Sequence, residues 1–269
     1  MLGKLIKYEF KATRKMLMFY GLLFMLAAMM AVMLRFDINA NGDLFVGAMW
    51  REARFSGLIA LFASLIIAAY AFMNAFIFAA VIFGGINRFR LNILGNQGYL
   101  MHTLPVKAEY HILAKNIVSI IWTILGVIAA LISYMIIGVV LMDDTLWDAL
   151  PLIFSTLQEQ LVFSVAQFWL VFAEVIVLVI VSISELYFRI YASMAVGYSF
   201  NKHRAAASVG AFIVLGIAES TLNSIFLSFI NTVYIDWKFL LFTIISSAIF
   251  GTVYYFIAAW FLNNRLNLQ

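Results

Sequence analysis

MLMFYGLLFMLAAMMAVML, residues 16–34, is an unbroken apolar run. At 1.5 Å per helical residue, about 20 such residues cross the roughly 30 Å hydrocarbon core of a bilayer. Before it stands MLGKLIKYEFKATRK, residues 1–15, with basic side chains at Lys4, Lys7, Lys11, Arg14 and Lys15. A cleavable leader carries an apolar core of only about 7–15 residues. The expectation is therefore a retained signal-anchor helix, and the rest of the chain repeats its pattern. Hydrophobic residues make up 65% of the 269 residues and charged residues 11%, against about 45–50% and about 25% in a water-soluble domain.

Further apolar runs bring the expected transmembrane helices to six, at about 16–34, 57–83, 117–141, 161–183, 206–229 and 238–262. No polar stretch approaches the roughly 50 residues of a small independent domain. The fold expected is all-α, a polytopic integral membrane protein in which residues 1–269 form a single transmembrane domain. Of the 17 basic residues, only Arg35, Arg51, Arg54 and Lys238 fall away from the side of the N-terminus. By the positive-inside rule, both termini and the 84–116 and 184–205 loops of this multi-pass protein are expected in the cytoplasm. Trp237 and Trp260, about 34 Å apart along a helix, suit the two interfaces of the last span. DTLWDALPLIFSTLQEQ, residues 144–160, is too punctuated to cross and reads as an outer-surface or re-entrant helix.

At 100° per residue the five N-terminal basic side chains share one arc of a wheel, with Leu2, Leu5, Ile6 and Ala12 mainly opposite. Such an amphipathic helix lies in the membrane interface, its basic stripe toward lipid phosphates. Glu9 falls in the middle of the apolar face, which is a poor place for a carboxylate in lipid. That face is expected to meet another protein segment.

Between the second and third spans stands GYLMHTLPVKAEYHILAKNIV, residues 98–118. Pro105 suits the first position of a helix, where no hydrogen bond is lost. Beyond it Val106, Tyr110 and Leu113 share one face, and Lys107, His111 and Lys115 recur at spacing four on another. A plain helix–helix link takes about 2–8 residues, whereas here large apolar and charged side chains are offered together, as on a docking surface. The docking candidates are Tyr99, Leu100, His102, Leu104, Pro105, Lys107, Glu109, His111 and Lys115. A second cytoplasmic loop offers Asn201, Lys202, His203 and Arg204.

These features resemble a type-2 ATP-binding-cassette (ABC) exporter permease, specifically the stand-alone permeases of Gram-positive bacteria. The resemblance rests on the basic amphipathic start, six spans, GYLMHTLPV before the third span and NKHR between the fourth and fifth. It implies a chain that is not itself an enzyme. Its partners would be a separate ABC ATPase subunit, which binds the ATP and Mg, a second permease chain and membrane lipid. The segment between spans two and three would serve as a coupling helix, and the cargo would be amphipathic or hydrophobic. Consistent with that expectation, the chain has no G-x-x-x-x-G-K-[ST] phosphate loop.

Asn74, Glu174, Glu219 and Asn223 are polar residues inside expected spans. Carboxylates at such depth usually face the protein interior or a cavity. By residue count Glu174 lies toward the inner surface and Glu219 toward the outer one, so the two are not expected to pair. They admit an alternative, a proton-coupled secondary transporter. A non-transporting sensor or immunity partner is a third reading. Glu185 and Arg189, four apart, read as a surface pair on a helix continuing past the fourth span. No cysteine is present, and His102, His111 and His203 show no ligand spacing, so no metal site is expected. The basic balance follows from topology and implies no nucleic acid.

Overall fold

A computed structural model describes residues 2–41, 56–95, 107–142, 151–152, 155–156, 165–200, 202–230 and 237–264. Helices account for nearly all of them, and among the described residues there is no strand. In chain order they are α1 (Leu2–Thr13), α2 (Met16–Asn41), α3 (Ser56–Phe89), α4 (Ala108–Met142), α5 (Val165–Tyr198), α6 (Arg204–Ile230) and α7 (Trp237–Asn264). A π-helical turn, Arg90–Leu94, continues α3 and stops at Gly95. Five helices are long and apolar enough to cross a membrane on their described residues, and a sixth span results if α1 and α2 count together. The chain is an all-α polytopic membrane protein.

The fourth apolar helix continues past the expected end of its span near 183, as the Glu185–Arg189 spacing suggested, and runs unbroken to Tyr198. The helix beginning at Ala108 runs into the third span without a break, while Pro105 and most of residues 144–160 lie outside the described residues.

The chain divides into two compact units. One comprises residues 14–81 and 122–164. Its core is made by Tyr20, Leu23, Ala27, Tyr70, Met73, Ile77, Trp122 and Ile137. Two hydroxyls buried there are satisfied across helices, while Asn74 Oδ1 is buried without a hydrogen-bond partner. The Tyr20 hydroxyl donates to the Trp122 carbonyl at 2.7 Å. Ser133 Oγ donates to the Ala130 carbonyl at 2.7 Å, which leaves the Tyr70 hydroxyl to donate to Ser133 at 2.8 Å.

The other unit comprises residues 1–13, 82–121 and 165–269. In it α5 packs against both α6 and α7. Tyr187 and Tyr191 are fully buried on α5, and the Tyr191 ring stacks on Phe89 with centroids 4.3 Å apart. Two glycines allow close approach. A Cβ on Gly85 would lie 3.1 Å from both Ser119 Oγ and Tyr187 Cε1. One on Gly197 would meet the Ser208 backbone, 2.6 Å from its Cα, so the end of α5 passes α6 nearly backbone to backbone.

Candidate functional site

On α1 the residues at 2, 5, 6, 9, 10 and 13 are partly buried, and Lys4, Lys7, Lys11, Arg14 and Lys15 are exposed. This is the helical stripe the sequence spacing requires. Glu9, in the inward stripe, meets protein as its position demanded. Arg88 Nε donates to Glu9 Oε2 at 3.1 Å, and Lys115 Nζ donates to Oε1 at 2.6 Å. One carboxylate thus joins the end of α3 to the beginning of α4.

Burial alone would raise the Glu9 carboxyl. The charge and hydrogen bond of Lys115, followed by those of Arg88, outweigh it and hold Glu9 below the usual carboxylate range. The exposure of the side chains, 14% for Glu9 and 5% for Lys115, makes this a desolvated pair rather than a surface one. Beside it lies a pocket of about 210 Å³ in which Glu9, Arg88, Asn92 and His111 share the walls with Leu5, Tyr8, Ala12 and Ala114.

Lys115 and His111 were expected on an outward face for a docking partner. Both are buried, at 5% and 8% exposure. The face that α4 turns outward at this level carries Lys107 and Tyr110, with Glu109 half-buried. Tyr99, Leu100, His102, Leu104 and Pro105 lie outside the described residues, as does Asn201. Lys202 and His203 are exposed. His203 has φ 58°, a left-handed conformation that few side chains adopt, and its carbonyl accepts from Ala207 N at 2.9 Å to start α6. The Arg204 guanidinium lies 5.8 Å from the centre of the Tyr198 ring.

A second cluster forms where α5, α6 and α7 meet, and spacing alone did not reveal it. Arg189 Nη1 donates to Glu219 Oε2 at 3.0 Å, and the Tyr254 hydroxyl donates to the same oxygen at 2.8 Å. Glu185, one turn before Arg189 on α5, is 7% exposed. The Arg189 guanidinium offsets the Glu219 carboxylate, as apolar surroundings require of a buried charge. The Arg189 guanidinium also covers the Phe212 ring at 4.8 Å.

The pairing expected within α5, Glu185 with Arg189 on a surface, is replaced by pairing across to α6. Glu219 and Glu174 do not meet. Glu174 is half-buried, with Oε2 inaccessible and without a hydrogen-bond partner, and Asn223 Oδ1 is in the same state. Asn74 belongs to the other unit, where its amide donates to the Tyr70 carbonyl of its own helix at 2.9 Å. Among the described residues no group of His, Cys, Asp or Glu could hold a metal ion.

Fold and buried ion pairs together define the class: a polytopic α-helical membrane protein with an amphipathic N-terminal helix locked onto two of its spanning helices. No protein-family model, curated protein or solved structure matches the chain.

Proposed function

We propose that this chain is the permease subunit of an ATP-binding-cassette exporter of the type-2 class. It would move an amphipathic or hydrophobic cargo with ATP hydrolysed by a separate nucleotide-binding subunit. The supporting observation is the Glu9 clamp. Arg88 and Lys115 flank the segment that joins the second and third spans, and both are tied to α1 through one carboxylate. A force applied to that segment is passed to a helix at the membrane surface instead of being absorbed by a slack loop. The exposed basic stripe of α1 then rests on the anionic inner leaflet, with both termini in the cytoplasm of a bacterial cell.

The test is purification of the chain alone and with its neighbouring-gene ATPase. The chain alone should hydrolyse no ATP, and the pair should co-purify. Replacing exposed Lys107 and Tyr110, or Tyr99 and Leu104, should uncouple hydrolysis from transport while the protein still folds. Full transport by the chain without any ATPase overturns the reading.

A second reading, a proton-coupled secondary transporter, is favoured by one observation, the presence of two largely buried carboxyls, Glu185 and Glu219, on the packed helices α5 and α6. It requires uptake or efflux in ATP-free vesicles with an imposed pH gradient, abolished in Glu219→Gln. Gradient-independent transport in that assay excludes it.

A further inference from the structure

Between α3, α5 and α6 lies a cavity of about 440 Å³, within the roughly 300–1,000 Å³ of small-molecule sites. Its walls are apolar side chains such as Phe83, Ile86, Ile190, Met194 and Phe212. Two hydroxyls in the wall are already used by their own helices: Ser193 donates to the Ile190 carbonyl and Ser208 to the Arg204 carbonyl. The interior therefore asks for hydrocarbon. Among the described residues that line it, Arg90 alone carries a charge.

Position decides which amphiphile fits. Arg90 follows the last residue of α3 and Tyr198 ends α5, and both line the cavity, so its lining reaches the ends of those helices, beside the start of α6 at Arg204. One Arg90 nitrogen donates to Asn87 Oδ1 at 3.0 Å, and a guanidinium has five N–H donors in a fork that matches phosphate. The Arg204 guanidinium lies against the Tyr198 ring, which itself lines the cavity. The rim is apolar and outward-facing, with Phe83 67% and Val209 59% exposed, as suits a surface bathed by acyl chains.

We infer that this cavity is a binding site for an anionic phospholipid, with an acyl chain against Phe83, Ile86, Ile190, Met194 and Phe212 and the phosphate on Arg90. The occupant is a membrane lipid rather than cargo. Basic pockets between spanning helices at the cytoplasmic surface take acidic headgroups for this physical reason. The inference goes beyond the proposed transport activity and does not depend on what energises it.

The test uses the full chain reconstituted in vesicles of phosphatidylcholine with trace spin-labelled phosphatidylglycerol or spin-labelled phosphatidylcholine, reading the immobilised fraction. Wild type should retain phosphatidylglycerol over phosphatidylcholine. Arg90→Gln should lower that preference about fivefold, the worth of one basic side chain near an anionic surface. Ala205→Phe, which fills the cavity from α6, should release both lipids from the site. Val253→Ala, on the exposed face of α7, should leave the preference unchanged. An Arg90→Gln preference equal to wild type, or an equal loss in Val253→Ala, overturns the site. Displacement of the lipid by millimolar inorganic phosphate alone also overturns it, because the acyl chain would then contribute nothing.

Discussion

The carboxylate of Glu9 and the ammonium of Lys115 meet at 2.6 Å although 106 positions of chain separate them. Lys115 is almost wholly buried, so its charge depends on Glu9 for compensation. Removing one partner of a buried pair costs about 3–5 kcal/mol, mainly because the other is left charged in a poor solvent. Glu9→Gln is expected to lower the stability of the detergent-purified protein by that order. Glu9→Gln with Lys115→Met should recover much of the loss. A thermal or SDS-unfolding double-mutant cycle reads the difference, and additive losses would contradict the coupling.

The same pair gives the attachment of α1 an acid limit. Because the folded carboxyl titrates below its ordinary range, its stabilisation is complete above the ordinary value of about 4.3 and is lost as pH falls through the depressed one. Hydrogen exchange of α1 amides, corrected for intrinsic rates, should be flat from about pH 5 to 8 and accelerate only in stronger acid. A transition near neutrality would assign control of α1 to another group.

Gly197→Ala should be costly and Gly210→Ala should not. At Gly197 the new methyl meets backbone of Ser208, which cannot swing aside, whereas at Gly210 nothing lies within 4 Å. Overpacking of this kind costs about 1–3 kcal/mol, while alanine for glycine in an open helix position gains up to about 1 kcal/mol. Unfolding midpoints of the two variants should move in opposite directions.

Tyr254→Phe deletes the hydroxyl that donates to Glu219 at 2.8 Å and little else. Hydrogen bonds to charged groups are worth about 1.5–3 kcal/mol, so a loss in that range is expected in the same unfolding assay. A neutral result would mean that the Glu219 oxygen is satisfied by Arg189 alone.

Particular residues show how far the sequence could be read. The apolar runs are long and bilayer length is a physical constant, so the spanning helices were legible. Glu9 was legible as well, since a carboxylate on the apolar stripe of an amphipathic helix has to find a cation. His111 and Lys115 were legible as sharing a face, but spacing does not say whether that face turns toward protein or away from it. The Arg189–Glu219 pairing was hidden for a different reason. Depth counted from the ends of apolar runs put Glu219 toward the outer surface and Arg189 beyond the inner one, on a helix continuing past the fourth span, yet the two meet at 3.0 Å. The π turn after α3 has no glycine or proline within it, so nothing local announced it.

That turn has a consequence of its own. A π turn holds one residue more than the α-helix it interrupts, and each residue of an α-helix is worth about 100° of rotation. Shedding the surplus residue would unscrew Ile93 and Leu94 from the buried cluster they now share with Phe89 and Tyr191. The helix ending at Gly95 thus finishes in a threaded joint, able to convert a small axial pull into a twist.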